Sequence, residues 1–143
     1  MIPITLGDKI EYLCEGVIFY LRPLDPYVRA RIDDTVTELK GMVTAGGEAE
    51  VKINWSLARY LYVQFGLAGW DWEHAGKLIE FRKRPLSKWG KDYEVASDES
   101  IKLLQMSSLE AYNRIADAIR DNAFLQEEEA KNSNSPSAAS GQD

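Results

Sequence analysis

Apolar and polar residues alternate through residues 9–21 of the chain. A period of two is the pattern of a β-strand that buries one of its faces. Glu15-Gly16 interrupts the alternation, and a two-residue interruption that contains glycine is a common signal of a tight hairpin turn. The pattern therefore predicts an N-terminal β-hairpin.

The period changes to that of a helix after Asp25-Pro26. Aspartate is a good N-cap, and proline fits the first helical position because its missing N–H needs no partner there. Four apolar residues follow at helical spacing: Val28, Ile32, Val36 and Leu39. We predict a helix that fades before Gly41 and a flexible loop at Ala45-Gly46-Gly47.

Residues 48–65 carry the strongest helical pattern, with two apolar stripes. The first stripe consists of Val51, Trp55, Ala58, Leu61, Tyr62 and Phe65, and the second of Ile53, Leu57 and Tyr60. A helix that is apolar over more than half its circumference is buried on two sides or has a partner. Two interpretations follow: a central core helix, or a helix whose second stripe forms a partner-binding surface.

A small tryptophan-containing β-hairpin is predicted within residues 66–91. Trp70 and Trp72 alternate, residues 74–77 can turn, and residues 78–81 can return as a strand. Alternate residues of a strand point to opposite faces, so one tryptophan is expected in the core. The other is either covered by a helix or exposed to a partner, which makes both residues candidates for partner binding.

The last third of the chain is predicted to be helical. Residues 97–105 form a short helix with Ser97 as its cap, and residues 107–110 fit a capping box. The helix that follows presents one apolar face and continues to about residue 125: Tyr112, Ile115, Ala116 and Ile119. From residue 131 the chain has no apolar anchor and should be disordered. The predicted fold is a helix-rich α+β domain over residues 1–130, with several amphipathic helices and a disordered C-terminal tail over residues 131–143.

Length and charge exclude several classes of protein. A chain of 143 residues most often forms one domain. Its one cysteine, Cys14, allows no internal disulfide, and no apolar run reaches the roughly 18 residues of a membrane span. The N-terminal residues lack the features of a secretory signal. The net charge of −6 argues against binding to nucleic acid.

No constellation of residues in the sequence indicates catalysis. Cys14 and the single histidine, His74, are far apart in sequence, and the spacing of histidine, cysteine and acidic residues matches no metal site. Three carboxylates near the tryptophans suggest sugar chemistry, but nothing in the sequence raises their pKa: Asp71, Glu73 and Glu80. We therefore predict no catalytic residue, no metal and no cofactor.

Five basic residues lie between positions 82 and 91, close to Trp89 and Tyr93. Basic residues interleaved with aromatic ones can bind single-stranded nucleic acid. The alternative, which we favour, is a solvated loop that balances acidic groups elsewhere on the protein or meets an acidic partner.

Several segments occur in an order typical of one protein family. Tyr20-Leu-Arg-Pro-Leu24 leads into a helix rich in charged residues, and Gly66-Leu-Ala-Gly-Trp70, Phe81 and residues 98–104 and 115–132 follow in sequence. In this order they resemble the tail assembly chaperones of long-tailed bacteriophages. The likeness covers most of residues 17–132.

The resemblance implies a non-enzymatic assembly factor in the cytoplasm of the host cell. Its partners would be the long helical tape-measure protein and, during tail-tube assembly, the tail tube protein. The family also self-associates, so a homo-oligomer is among the expectations. The alternatives are a structural virion protein of the neck or head–tail connector and, less favoured, a nucleic-acid-binding regulator.

Overall fold

The computed structural model describes residues 9–40 and 50–132. In chain order the elements are β1 Ile10–Cys14, β2 Val17–Leu21, α1 Pro26–Val36, β3 Thr37–Lys40, β4 Glu50–Ile53, α2 Trp55–Gly66, β5 Leu67–Asp71, β6 Glu73–His74, β7 Lys77–Leu78, β8 Lys83–Lys88, β9 Lys91–Ala96, α3 Asp98–Ser107 and α4 Leu109–Asn132.

The predicted N-terminal hairpin is confirmed. Strands β1 and β2 pair antiparallel around Glu15 and Gly16, whose φ angles of 50° and 77° match the tight turn that suits a twisted hairpin. Strand β5 joins the other edge of β2 and places Trp70 opposite Phe19. One face of this three-stranded sheet therefore carries buried aromatic residues into the core.

Helix α1 begins as predicted but ends earlier. The Asp25 carboxylate accepts a hydrogen bond from the Tyr27 N–H at 2.9 Å, with proline in the first turn. The prediction that Leu39 continues the helix is wrong, because the backbone becomes extended at Thr37 and β3 pairs antiparallel with β4. Pairing with a distant strand thus outweighs the helical spacing of the apolar residues. The predicted loop at residues 45–47 lies outside the described residues.

The prediction of one helix over residues 48–65 is also wrong. Residues 50–53 form β4, and α2 starts only after Asn54, whose side chain accepts a hydrogen bond from the Leu57 N–H at 3.1 Å. Asparagine favours such a cap because its side chain satisfies a free backbone donor. Trp55, predicted to be core, is consequently the first residue of the helix and 49% exposed. The remainder of its stripe on α2 is buried: Ala58, Leu61, Tyr62 and Phe65.

The prediction of a helix-rich fold is wrong. About 47% of the residues are in helices and about 34% are in antiparallel strands, so the fold is an α+β fold in which helices do not clearly dominate. A small hairpin, β6–β7, forms at the predicted turn around Ala75-Gly76, but the prediction that it contains the tryptophans is wrong, because Trp70 lies in β5, paired with β2, and Trp72 lies between β5 and β6. Only Leu78 of residues 78–81 is in its second strand. A second hairpin, β8–β9, turns at Trp89-Gly90 where the sequence predicted a basic loop. Strand β8 alternates between exposed and half-buried residues, but the sequence does not show an alternation of polar and apolar residues, because the basic residues Arg84 and Lys88 lie on the half-buried face.

Helices α3 and α4 agree with the prediction except at their boundaries. Ser97 caps α3, and Ile101 and Leu104 are buried. The cap of α4 is Ser108 rather than Ser107, since the Ala111 N–H donates to the Ser108 hydroxyl at 3.1 Å. All four predicted inward residues of α4 are buried. Helix α4 runs to Asn132, beyond the predicted end, and residues 133–143 lie outside the described residues.

Helix α2 occupies the centre of the described structure. It packs on α1, α3, α4 and β9, and its buried residues join those of the three-stranded sheet in one apolar cluster. A single extended residue, Ser108, separates α3 from α4, and we call this break the α3–α4 corner. The turn of the β1–β2 hairpin contacts it through the hydrogen bond from Ser108 to Glu15.

Candidate protein-binding surface

A small cavity opens where the β1–β2 turn meets the α3–α4 corner, and we call it the corner cavity. Its volume is about 120 Å³. Six apolar or weakly polar residues form its walls: Cys14, Val17, Phe19, Trp72, Leu104 and Ala111. The more exposed residues around it are polar: Glu15, Ser107 and Ser108. The cavity therefore has an apolar interior and a polar rim.

One side-chain hydrogen bond joins the two elements that border the corner cavity. The Ser108 hydroxyl donates to the Glu15 carboxylate at 2.7 Å and accepts from the Ala111 N–H. A single hydroxyl thus caps α4 and holds the hairpin turn in place. Because the turn itself has a defined positive-φ geometry, the rim of the cavity is formed before any partner binds.

Three large apolar side chains that adjoin cavity-lining residues in the sequence are exposed to solvent, although none of the three lines the corner cavity itself. Met106 is 77% exposed, Leu109 is 61% exposed and Leu13 is 70% exposed. Each is the chain neighbour of a residue that lines the cavity. Single exposed apolar residues are ordinary, but several beside an apolar cavity are typical of an interaction site. We call the cavity together with these three residues the corner surface.

A rigid aromatic cluster supports the wall of the corner cavity. The ring of Trp72 meets that of Trp70 edge-on, with 5.2 Å between the ring centroids. Trp70 is buried, contacts Phe19 and Phe81 edge-on, and its indole N–H donates to the Ile79 carbonyl at 2.8 Å. The cluster leaves Trp72 little freedom to move, which favours a preformed cavity.

The structure separates the five residues predicted to bind a partner. Trp72 lines the corner cavity, and Trp70 lies directly behind it in the core. Ile53 is exposed at the end of β4 rather than on α2, so it shares no helical stripe with Leu57 and Tyr60. Those two residues are half-buried against the core, and the Tyr60 hydroxyl donates to the Asp98 carboxylate.

The three exposed apolar residues of the corner surface were missed by the sequence analysis: Leu13, Met106 and Leu109. Leu103, Met106 and Leu109 recur at every third position, off the buried face that contains Ile101 and Leu104. This second apolar spacing was the available signal for an exposed stripe at the corner. Leu13 gave no separate signal, because its exposure depends on which face of β1 the core covers.

The thiol of Cys14 is set up for packing rather than reaction. It is buried in the wall of the corner cavity. Burial, followed by the nearby charge of Glu15, raises the pKa of Cys14 above its ordinary value. A thiol in such surroundings stays protonated and is a poor nucleophile. His74 is exposed on the β6–β7 hairpin.

The carboxylates that sequence analysis weighed for sugar chemistry lie on the surface. Asp71 accepts a hydrogen bond from the Tyr20 hydroxyl at 2.5 Å, and Glu80 pairs with Arg82 at 3.3 Å. Within residues 9–40 and 50–132, no cluster of three histidine, cysteine or acidic side chains has the arrangement to hold a metal ion.

The basic residues of β8–β9 have acidic or aromatic neighbours within the protein. Lys83 pairs with Glu94 at 3.7 Å, and Arg84 pairs with Asp98 at 3.6 Å. The ammonium of Lys88 lies over the ring of Trp89, 5.1 Å from its centroid. This arrangement favours the interpretation in which the basic run balances acidic groups, since its charges already have partners.

A second cavity, of about 260 Å³, lies between the N-terminus of α1 and β9. Its lining includes Arg22 and three acidic residues. Each acidic side chain is already engaged: Asp25 caps α1, Asp92 accepts from Ser87, and Glu94 pairs with Lys83. Both cavities are smaller than the roughly 300–1,000 Å³ of typical small-molecule sites.

None of the helices within the described ranges has the length and apolar character needed to cross a membrane. No protein-family model, curated protein or solved structure matches the sequence or the fold of this chain.

Proposed function

We propose that the protein is a non-enzymatic assembly factor, a phage tail assembly chaperone that binds the tape-measure protein and promotes tail-tube assembly. The observation that carries the proposal is the corner surface, in which Leu13, Met106 and Leu109 are exposed and adjoin, in the sequence, residues that line an apolar cavity. The order of sequence segments that resembles this family supports the same assignment.

The corner surface has the properties that a helical partner requires. An amphipathic helix binds by placing a few apolar anchors into an apolar groove or cavity. A cavity of about 120 Å³ suits one side chain better than a whole ligand. The exposed residues around it would cover the neighbouring apolar positions of the partner, and so protect that partner from aggregation.

Co-expression tests the proposal. The first step is to search the genome for a very long helical reading frame next to the gene for this chain; its product should aggregate alone and stay soluble when this chain is co-expressed. Finished particles should contain the long protein and lack this chain when analysed by mass spectrometry. Equal solubility of the long protein with and without this chain would contradict the proposal.

Mass spectrometry of the same particles also distinguishes an assembly chaperone from a structural virion protein. A neck or head–tail connector subunit would remain in the virion in a fixed copy number. Detection of this chain in purified virions, at a constant ratio to the tail tube protein, would therefore replace the chaperone with a structural virion protein.

A further inference from the structure

We infer that two copies of this chain associate by pairing their β4 strands antiparallel, so that the two β3–β4 hairpins form one four-stranded sheet. The inference does not depend on the proposed function, because it concerns a different surface from the corner surface. Two features of the hairpin lead to it: its unpaired edges and the order of charges along its strands.

The β3–β4 hairpin is a two-stranded sheet with free edges. Within residues 9–40 and 50–132, neither strand pairs with a third strand. The Asn54 N–H donates to the Val36 carbonyl at 2.8 Å at the base of the hairpin, whose main contact outside itself is with α1. A two-stranded hairpin is only marginally stable in water, and its edge offers unpaired N–H and carbonyl groups to another strand. A further strand would therefore stabilise this hairpin.

The base of the hairpin exposes apolar surface on the side of β4. Ile53, the last residue of β4, is 38% exposed, and Trp55 just beyond it is 49% exposed. The residue opposite Ile53 on β3 is Thr37, which is also exposed. Pairing along β4 thus removes more apolar surface from water than pairing along β3, which favours β4 as the edge that binds.

The two strands carry the same order of residue types: an acidic residue, an aliphatic residue and a basic residue. Strand β3 contains Glu38-Leu39-Lys40, and β4 contains Glu50-Val51-Lys52. Because the strands run antiparallel, each acidic residue lies opposite a basic one. The register is Glu38 with Lys52, Leu39 with Val51 and Lys40 with Glu50. Opposite charges across a ladder stabilise the pairing of two strands, whereas like charges destabilise it.

The same rule makes β4 complementary to a second β4. An antiparallel pair centred on Val51 places Glu50 of each copy opposite Lys52 of the other. Centring the pair on Glu50 or on Lys52 would instead put like charges opposite each other. Both copies use the same surface, so the dimer is closed by a two-fold axis. The net charge of −6 opposes association in general, but residues 50–52 carry one charge of each sign, so the copies meet at a locally neutral strand.

Sedimentation of the full chain over a range of concentrations tests the inference, and we expect a monomer–dimer equilibrium. Glu50→Lys places two pairs of positive charges opposite each other across the interface, and Lys52→Glu places two pairs of negative charges there. Each variant alone should have a dimer dissociation constant at least about tenfold higher than that of the unmodified chain. An equimolar mixture of the two variants should recover the dimer, because every pair between the copies again has opposite charges.

Glu38→Lys and Lys40→Glu are the matched controls. Like the β4 variants, they put like charges opposite each other within the hairpin, so they weaken the hairpin itself to the same degree. They leave β4 unchanged, so each should dimerise nearly as well as the unmodified chain, and mixing them should have no effect. Thermal melting of all four variants checks that the fold is retained.

Three results would overturn the inference. The first is a chain that stays monomeric at all concentrations, and the second is a dimer that Glu50→Lys and Lys52→Glu leave intact. The third is recovery of the dimer only when the two β3 variants are mixed, which would place the interface on β3. Solubility of the long helical protein with the Glu50→Lys variant reports separately on the proposed function, so either statement can fail while the other stands.

Discussion

The backbone of Gly66 lies directly against the side chain of Ile119. A Cβ atom at position 66 would lie 2.4 Å from Cγ2 of Ile119, far inside van der Waals contact. Gly66 ends α2, and its carbonyl accepts a hydrogen bond from the Arg22 N–H at 2.7 Å. The glycine is thus where the central helix, α4 and the chain after β2 come together, and a side chain there would separate them.

Gly66→Ala should destabilise the protein by about 1–3 kcal/mol, because the added methyl group overpacks the contact with Ile119. Chemical denaturation measures the effect. Gly69→Ala is the control, since its Cβ would find Tyr20 at an ordinary 3.6 Å and should change stability little. The double variant Gly66→Ala/Ile119→Ala should lose less free energy of unfolding than the two single variants lose in sum. Strict additivity would show that the two residues do not clash.

Trp70→Phe should destabilise the fold by about 1–3 kcal/mol. Phenylalanine keeps an aromatic ring beside Phe19 and Phe81 but leaves the Ile79 carbonyl without the indole donor. Thermal melting measures the loss. Trp72→Phe is the comparison, because Trp72 is only half-buried and should lose less stability. Equal losses in the two variants would place both rings in the same environment, contrary to the structure.

The stability of the protein should fall as the pH rises above the ordinary tyrosine pKa of 10.0. Burial, and then the hydrogen bond to Asp98, raise the pKa of Tyr60 in the folded state. Above that pH the unfolded chain releases this proton while the folded chain keeps it, so the folded state loses stability. Below pH 10, Tyr60 is protonated in both states and adds no pH dependence to the free energy of unfolding.

Tyr60→Phe should reduce the decline above pH 10, because it removes one of the tyrosines that titrate differently in the two states. Urea unfolding at several alkaline pH values measures the slope. Tyr27→Phe, which leaves the Tyr60–Asp98 contact intact, is the control. An unchanged slope for Tyr60→Phe would contradict the shifted titration of Tyr60.

Single-stranded DNA should bind weakly. The cations of β8–β9 are paired with carboxylates or lie over aromatic rings, as Lys83, Arg84 and Lys88 illustrate. Fluorescence titration with labelled oligonucleotides at several salt concentrations measures the affinity. A tight complex would instead support the nucleic-acid-binding regulator, provided that its affinity depends on salt. The logarithm of the binding constant should then fall by about 0.7 per phosphate contact for each tenfold rise in salt concentration.

Local sequence signals predicted those parts of the fold in which one element decides its own conformation. The β1–β2 turn, the Asp25 cap of α1 and the buried face of α4 all follow from nearest-neighbour chemistry. The pairing of β3 with β4 could not be found in this way. It joins residues 10 to 16 positions apart, and the helical spacing of Leu39 gave an opposing signal.

The β8–β9 hairpin was predictable in principle from Trp89-Gly90, which has the same positive-φ geometry as Glu15-Gly16. Its alternation was obscured because Arg84 and Lys88 occupy half-buried positions, which long basic side chains can do while their charges reach a partner. Of the candidate site, only Trp72 was predicted. The remainder depends on how α3 turns into α4, which the spacing of single helices does not specify.

The most direct test of the account is the affinity of the Met106→Lys/Leu109→Asp double variant for the long helical protein. A lysine suits the last turn of α3 and an aspartate the first turn of α4, so both changes agree with the helix dipoles and the fold should persist. Leu78→Lys is the control, since Leu78 is similarly exposed but does not adjoin, in the sequence, any residue that lines the corner cavity. Calorimetric titration should show at least about tenfold weaker binding for the double variant and no change for the control. Binding of the double variant at full strength, with its melting temperature unchanged, would contradict the assignment of the corner surface as the partner-binding site.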